Sequence, residues 1–184
     1  MRKLAVEELN RVSVEEYKET PKNKLVVLLD SVRSLNNVGS AFRTSDAFCI
    51  EKLYLCGITG TPPHRDIHKT ALGATESVDW EHRKDIVQTV KELKEEGYTI
   101  IAVEQTDHSQ LLNAYPASLD GKYALIFGNE AFGVSEEVLP HCDLALEIPQ
   151  FGTKHSLNIS VTIGIVLWSF LQEKLTVSDS LKRT

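Results

Sequence analysis

The chain has 184 residues, of which 42% are hydrophobic and 25% charged, as is ordinary for a globular protein. This length fits one domain, or one domain with an arm, and is sufficient to bury a core. The formal net charge of −6 argues mildly against a nucleic-acid partner. The charge is uneven, because residues 22–70 carry seven Lys and Arg against four Asp and Glu, whereas residues 71–184 carry nine against seventeen. The local positive excess favours an anionic ligand near residues 22–70.

The sequence predicts no membrane span and no secretion signal. The longest apolar run, residues 159–171, is interrupted by Ser160, Thr162 and Ser169 and is too short to cross a bilayer. The first residues, MRKLAVEELNRV, are charged and lack an apolar signal region. The three cysteines form no CxxC pair and no even set, which is typical of buried thiols in a reducing compartment. We therefore expect a cytoplasmic protein that does not contact membranes.

The first half of the chain alternates predicted helices and strands. Residues 1–21 are predicted to form an arm, with a helix over 4–19 that carries a Ser13-Val-Glu-Glu capping pattern and ends at Thr20-Pro21. The apolar run KLVVLLD is typical of a buried parallel strand. The remaining elements predicted here are strands at 24–30 and 51–57, a helix at 37–48, and a loop at 58–77 with a helical piece near 66–72.

The second half continues the alternation, which predicts an α/β fold with a mostly parallel sheet flanked by helices. Strands are predicted at 98–104, 122–128 and 144–149, and helices or helical turns at 84–96, 108–115, 134–139 and 157–174. The main domain is therefore expected to span residues 22–174. Residues 175–184 are expected to form a frayed polar tail.

Three loops follow predicted strands at the sheet edge where ligands bind in open α/β folds. They span residues 30–37, 127–135 and 148–158, and none is a dinucleotide-binding or Walker A loop. Each has a purely structural alternative. The second loop is also consistent with a glycine-rich turn that leaves Glu130 in solvent, and in the third loop either Ser156 or Asn158 could cap the long helix.

Arg43 interrupts a stretch that otherwise reads as a helix entering the core. Helical spacing places Val38, Ala41, Phe42 and Ser45 on an apolar face, and Arg43 points away from it. Because side chains lean toward the helix N-terminus, its guanidinium would reach back toward residues 36–37. The alternative is that Asn36 or Asn37 only caps this helix and that Arg43 is a solvated surface residue.

Taken together, the three loops carry motifs that resemble a known family. NNVGSAFRTSDA, FGNEAFGVS and IPQFGTKHSLNISVTIGIVL occur in this order and resemble the three motifs of the SpoU/TrmH-type RNA ribose 2′-O-methyltransferases of the SPOUT superfamily. The resemblance covers residues 24–172, nearly the whole chain. It implies an α/β fold with a C-terminal deep trefoil knot, a pocket for S-adenosylmethionine in the knot, and a homodimer as the active unit, with no metal.

The resemblance also assigns site residues by position. The cofactor-binding positions it implies are Gly128, Ile148 and Leu157, together with Val103 and Glu104 at the end of the third major strand. The catalytic positions it implies are Arg43, Asn37, Glu130, Ser156 and Asn158.

Arg43 is a poor candidate for a general base, because a guanidinium keeps its proton at neutral pH. We expect it to stabilise the developing ribose alkoxide or to clamp a neighbouring phosphate, leaving a phosphate oxygen or water to accept the proton. Asn37 would then orient Arg43 or the ribose, and Glu130 would pair with Arg43 or with a group of the partner subunit. Ser156 and Asn158 would shape the pocket.

Five other residues have competing interpretations. His64 and His68 are one helical turn apart, but no third metal ligand is evident, so their loop is either solvated or in contact with RNA phosphates. Trp80 and Trp168 are expected in the core. Cys142 is expected to be buried rather than nucleophilic.

The leading hypothesis is methyl transfer from S-adenosylmethionine to a 2′-hydroxyl of structured RNA, with tRNA slightly favoured over rRNA. A second hypothesis is a non-catalytic knotted dimer that binds RNA and retains the cofactor pocket. A third is an ordinary doubly wound nucleotide-binding enzyme, which the absence of a glycine-rich phosphate loop disfavours.

Overall fold

The computed structural model describes residues 1–9, 11–118 and 120–182. Its centre is a sheet of seven parallel strands in the order β3-β2-β1-β6-β4-β7-β5. The strands are β1 (Asn23–Asp30), β2 (Ile50–Cys56), β3 (Trp80–Arg83), β4 (Thr99–Val103), β5 (Gln110–Leu111), β6 (Tyr123–Phe127) and β7 (Leu144–Glu147). The helices are α1 (Val14–Glu19), α2 (Leu35–Ala47), α3 (Arg65–Ala71), α4 (Ala74–Ser77), α5 (Ile86–Glu95) and α6 (Ile159–Lys182). Within these residues, three 3-10 turns occupy Val6–Leu9, Leu112–Ala114 and Leu139–His141.

The sheet separates two apolar layers, because side chains of a strand alternate between its faces. In β1, Val27 and Leu29 face the larger layer, which also contains residues of α2, α3 and α6. Val26 and Leu28 face the smaller layer beneath α5. These four side chains are at most 2% exposed, so β1 is a central strand buried on both faces, as its apolar run predicts.

The sequence predicted the α/β class and five of the strands, β1, β2, β4, β6 and β7, within one or two residues of their observed bounds. It missed β3, whose letters WEHR are mostly polar because it is an edge strand, paired only with β2. The helix predicted over 108–115 is wrong, since residues 110–111 pair with β7 and only a 3-10 turn follows.

Both ends of the chain differ from the prediction. The single helix expected over 4–19 is instead a 3-10 turn and the short α1, although the capping box at Ser13 and Glu16 is present. At the other end, α6 continues to Lys182, beyond the expected start of a polar tail at 175. The last two residues of that predicted tail, 183–184, lie outside the described residues. No helix in the described part of the chain is long and apolar enough to cross a membrane.

Candidate active site

The carboxyl ends of β6, β4 and β7 lie side by side, and the loops that follow them enclose a cleft of ≈ 530 Å³. All five residues that the sequence assigned to cofactor binding line this cleft: Val103, Glu104, Gly128, Ile148 and Leu157. Glu130, Ser156 and Asn158 line it as well. The sequence therefore placed eight of its ten site residues around one cavity, and the remaining two, Asn37 and Arg43, lie on α2.

Glu130 ties the second loop to the start of α2. Its carboxylate accepts hydrogen bonds from the backbone N–H groups of Arg33 at 3.0 Å and Ser34 at 3.1 Å. It also accepts one from Asn37 Nδ2 at 3.0 Å. Partial burial favours a higher pKa, but the hydrogen bonds that the carboxylate accepts outweigh it and hold the pKa of Glu130 below its usual value. Glu130 is therefore an anion with most of its acceptor capacity in use, not a poised general base.

The same network continues into the third loop. Asn158 Nδ2 donates to Asn37 Oδ1 at 3.2 Å. Asn158 Oδ1 accepts from the N–H of Ser160 at 2.9 Å and from its hydroxyl at 2.6 Å, so Asn158, rather than Ser156, caps α6. Glu130, Asn37 and Asn158 thus link all three sequence motifs through side-chain hydrogen bonds.

The cap of α2 differs from the prediction. Ser34 is the N-cap, and its hydroxyl accepts from the N–H of Asn37 at 3.3 Å. The helix therefore begins before Asn36 and Asn37, and neither asparagine has to act as its cap. The side chain of Asn37 is free to bridge the other two motifs.

The second loop is a closely packed turn. A Cβ added to Gly128 would lie 2.0 Å from the carbonyl carbon of Gly133 and 2.1 Å from the nitrogen of Val134, so the return of the chain leaves no room for a side chain. Asn129 and Gly133 exchange two backbone hydrogen bonds of 2.8 Å. Asn129 Nδ2 also donates to the carbonyl of Ser31 at 2.6 Å, and Ser31 is held at φ 54. The turn is thereby fixed against the end of β1.

Glu104 braces the cleft from the other side. Its carboxylate accepts from the N–H groups of Gln105 at 2.9 Å and Val134 at 3.0 Å. Gln105 Nε2 donates in turn to the carbonyl of His155 at 3.1 Å, which ties the end of β4 to the third loop. The carboxylate of Glu104 is thus already engaged in holding the walls of the cleft together.

Comparison with known proteins identifies the family. The model of the SpoU rRNA methylase family matches residues 24–168. The chain belongs to this family. Among curated proteins, it is 32% identical over 173 residues to the 23S rRNA (guanosine-2′-O-)-methyltransferase RlmB of Neisseria meningitidis, covering 94% of this chain and 68% of the relative.

Two solved structures share the fold. The A. aeolicus TrmH/SpoU tRNA modifying enzyme has a TM-score of 0.78 at 27% identity, covering 90% of this chain and 85% of that one. The AdoMet-bound rRNA methyltransferase of Sinorhizobium meliloti has a TM-score of 0.77 at 22% identity, and this likeness shows the fold alone. The match covers 85% of this chain and 60% of the S. meliloti chain. This SpoU-family chain thus spans about two thirds of the length of such curated relatives as the Neisseria protein.

Arg43 lies apart from the cleft of this SpoU-family chain. It is exposed on α2, at a shallow depression that is also lined by Thr44, Ala47, Phe48, Gly164, Ile165 and Trp168. Within residues 1–9, 11–118 and 120–182 it forms neither a hydrogen bond nor an ion pair. Its predicted pairing with Glu130 is therefore not seen within one chain, because Glu130 instead binds the start of α2.

The two tryptophans differ from each other. Trp80, which was predicted in the core, is half-buried at its rim and packs edge-to-face on Phe42. The prediction that Trp168 is in the core is wrong, since it is 55% exposed on α6 and contacts the ring of Phe48. An exposed tryptophan beside apolar neighbours marks a surface that favours contact with another molecule.

His64 has a structural role, and the contact of its loop with RNA phosphates stays a prediction. His64 caps α3, with Nδ1 accepting from the N–H of Asp66 at 3.2 Å. Across the residues that the structure describes, no three His, Cys, Asp or Glu are grouped as metal ligands would be. Burial raises the pKa of the Cys142 thiol to about 11, so it is not a ready nucleophile.

Several cleft residues escaped the sequence analysis. Gln105, Asn129, Phe132 and His155 all line the cavity. Asn129 and Phe132 lie close to Glu130 in the same motif, so their position in the sequence could have indicated that they belong to the site. Gln105 carries no such signal, because only the fold brings the end of β4 to the third loop.

Proposed function

We propose that this chain transfers a methyl group from S-adenosylmethionine to a ribose 2′-hydroxyl of RNA. The observation that carries the proposal is the cleft itself. The five cofactor positions and three of the catalytic positions of a SpoU-type site meet around it, in a chain that belongs to the family. Curated relatives such as the Neisseria protein are longer than this chain. The RNA substrate and the way in which it is recognised are therefore part of the proposal.

The cleft fits S-adenosylmethionine. Its volume of ≈ 530 Å³ is typical of small-molecule sites. Apolar side chains of Val103, Ile148 and Leu157 suit an adenine ring, and the backbone of Gly128, packed against Gly133, forms part of the wall. When bound, the cofactor supplies a methyl carbon made electrophilic by the sulfonium.

The residues of the chain align the acceptor and stabilise its developing charge. Glu130, Asn37 and Asn158 hold the three loops in one arrangement, so the site is organised before RNA arrives. We assign Arg43 to the ribose or an adjacent phosphate, because a guanidinium keeps its charge at neutral pH and Arg43 has no ion-pair partner among the residues that the structure describes. A phosphate oxygen or a water accepts the hydroxyl proton in this scheme.

We propose that two copies associate through the exposed face of α2 and α6. Ile165 is 38% exposed and Trp168 is 55% exposed on this face, and Arg43 lies at its edge. A second copy docked here would cover Trp168 and bring Arg43 close to the partner subunit. A C-terminal trefoil knot and a cytoplasmic location are further parts of the proposal, taken from the resemblance.

Ribosomal RNA is the substrate class we propose, in place of the tRNA favoured from the sequence. The curated relative from Neisseria is named for guanosine-2′-O-methylation of 23S rRNA. The A. aeolicus neighbour, which is named for tRNA, is the reason to assay both classes.

The test is an assay of methyl transfer from methyl-labelled S-adenosylmethionine to unmodified rRNA and, separately, to unmodified tRNA. We expect label in rRNA with the wild type and none with Arg43→Ala. Label in tRNA alone would overturn the proposed substrate class. Cofactor binding with no label in either RNA would support the non-catalytic RNA-binding dimer instead.

A further inference from the structure

The chain has six phenylalanines, and two of them are unlike the rest. Phe42, Phe127 and Phe170 are at most 5% exposed. Phe132 and Phe151, in contrast, are 86% and 99% exposed. Both belong to loops that form the proposed active site, and Phe132 itself lines the cleft. Among residues 1–9, 11–118 and 120–182, neither ring packs against another aromatic ring or a cation, and both rings lie on the loops around the proposed active site.

The backbone beneath Phe132 is fixed. Asn129 Oδ1 accepts from the N–H of Ala131 at 2.8 Å and of Phe132 at 3.3 Å. The paired hydrogen bonds between Asn129 and Gly133 close the turn from both sides. The ring is thus presented to solvent by a rigid turn, so little ordering is required when it binds a ligand.

The third loop favours an anionic, aromatic ligand. The cleft beside it is also lined by the carboxylates of Glu104, Glu130 and Glu147, of which the first two accept backbone N–H groups. Residues 148–158 include Lys154 and His155 and no acidic residue. Lys154, His155 and Arg33 are exposed, and their side chains form no ion pair in the described part of the chain. Exposed aromatic rings on loops that also carry Lys and Arg side chains are a usual surface for unpaired nucleotides, whose bases stack on the rings while phosphates meet the cations.

We propose that Phe132 and Phe151 are stacking platforms for unpaired nucleobases of the RNA. Phe132, in the cleft, takes the base of the nucleotide to be methylated, and Phe151, next to the cleft residue Gln150, takes a neighbouring base. This inference rests on the proposed function. It adds that the acceptor must be single-stranded or flipped out, because a base inside a duplex has no free face for Phe132.

The test uses a single-stranded RNA with 2-aminopurine at one position, since stacking on an aromatic ring quenches its fluorescence. Wild type and Phe132→Tyr are expected to quench the probe. Phe132→Leu, which keeps the apolar bulk without the ring, is expected to lose most of the quenching and to bind the RNA about 5- to 150-fold more weakly. Phe151→Leu should weaken binding in the same direction.

Three results would overturn the inference. They are no quenching by the wild type, equal quenching by Phe132→Leu, or a loss of S-adenosylmethionine affinity in Phe132→Leu, which would place the ring in the cofactor site. Methyl transfer by the wild type is measured on the same preparation. A wild type that quenches the probe but methylates no RNA would count against the proposed function and leave the platforms supported.

Discussion

Asn37 Nδ2 donates to Glu130 Oε1 at 3.0 Å, joining residues that are 93 positions apart in the chain. The other end of the Asn37 amide accepts from Asn158, 121 positions away. One amide therefore fixes the relative positions of three loops, and it can do so only with both a donor and an acceptor. This dual requirement distinguishes asparagine from every isosteric substitute at this position.

Replacement of Asn37 by Asp should damage both stability and the site. The new carboxylate would face the carboxylate of Glu130, and the lost hydrogen bond would leave polar groups unpaired, which costs about 1–3 kcal/mol. Urea unfolding and S-adenosylmethionine binding measure the two effects. Asn36→Asp is the matched control, because Asn36 is the exposed neighbour and its side chain forms no hydrogen bond in the described part of the chain, while its backbone carbonyl accepts from Thr70. Equal stability of the two variants would contradict the bridging role of Asn37.

The lowered pKa of Glu130 predicts that the free energy of unfolding depends on pH. Its pKa is lowered in the folded protein, so its contribution is present above the usual glutamate value of 4.5 and is lost as the pH falls through the lowered pKa. Glu130→Gln cannot titrate at this position. The stability difference between wild type and this variant should therefore be largest near neutral pH and shrink below about pH 4.5. A difference that grows on acidification would show that Glu130 is not held as an anion.

Gly128→Ala should disturb the cofactor cleft. The added methyl group would lie 2.0 Å from the backbone of Gly133, so the turn must move, and overpacking of this kind costs about 1–3 kcal/mol. Gly152→Ala is the control in the other loop, since its Cβ would meet nothing within 4 Å. We expect a lower melting temperature and weaker S-adenosylmethionine binding for Gly128→Ala alone. Matching behaviour of the two variants would exclude a tight turn at Gly128.

Arg43→Lys separates chemistry from binding. Arg43 lies outside the cofactor cleft, so the variant should bind S-adenosylmethionine as the wild type does. Lysine keeps the charge but not the planar pair of donors, and loss of such a contact lowers kcat by about 10²–10³-fold. Single-turnover methyl transfer measures the rate of the chemical step, and calorimetry measures the affinity for S-adenosylmethionine. Turnover close to wild type would refute the bidentate role.

The face of α2 and α6 predicts a dimer. Trp168→Glu puts a charge at its centre and should yield a monomer in light scattering, whereas the wild type should be dimeric. Ile58→Glu is the control, because Ile58 is also exposed, at 72%, but lies outside this face. Dimers that survive Trp168→Glu and dissociate with Ile58→Glu would place the interface elsewhere.

The sequence predicts a feature when the residues of that feature carry its pattern themselves. The buried strands were predictable because runs such as residues 24–30 are apolar throughout, and edge strand β3 was not because its letters WEHR lack that pattern. The α2 cap was misplaced because Ser34, Asn36 and Asn37 are all good capping residues, and only the packed structure selects among them.

The sequence predicted which residues belong to the candidate site, but not which hydrogen bonds join them. The motifs brought Gly128, Ile148 and Leu157 to one cleft. Nothing local could show that Glu130 would bind the start of α2 instead of Arg43, since that choice depends on the crossing of chain segments far apart in sequence. The exposure of Trp168 was hidden for a related reason, because α6 is apolar on most sides and only its packing shows which side stays uncovered.

The central claim is that the methyl group goes to a ribose oxygen rather than to a base. Identification of the methylated nucleoside tests this claim directly. Unmodified rRNA is incubated with the protein and methyl-labelled S-adenosylmethionine, digested to nucleosides, and analysed by mass spectrometry. We predict that the label is found in a 2′-O-methylnucleoside, with the extra mass on the sugar fragment, and that it is absent with Arg43→Ala. Label on the base fragment, or equal label with Arg43→Ala, would contradict the account.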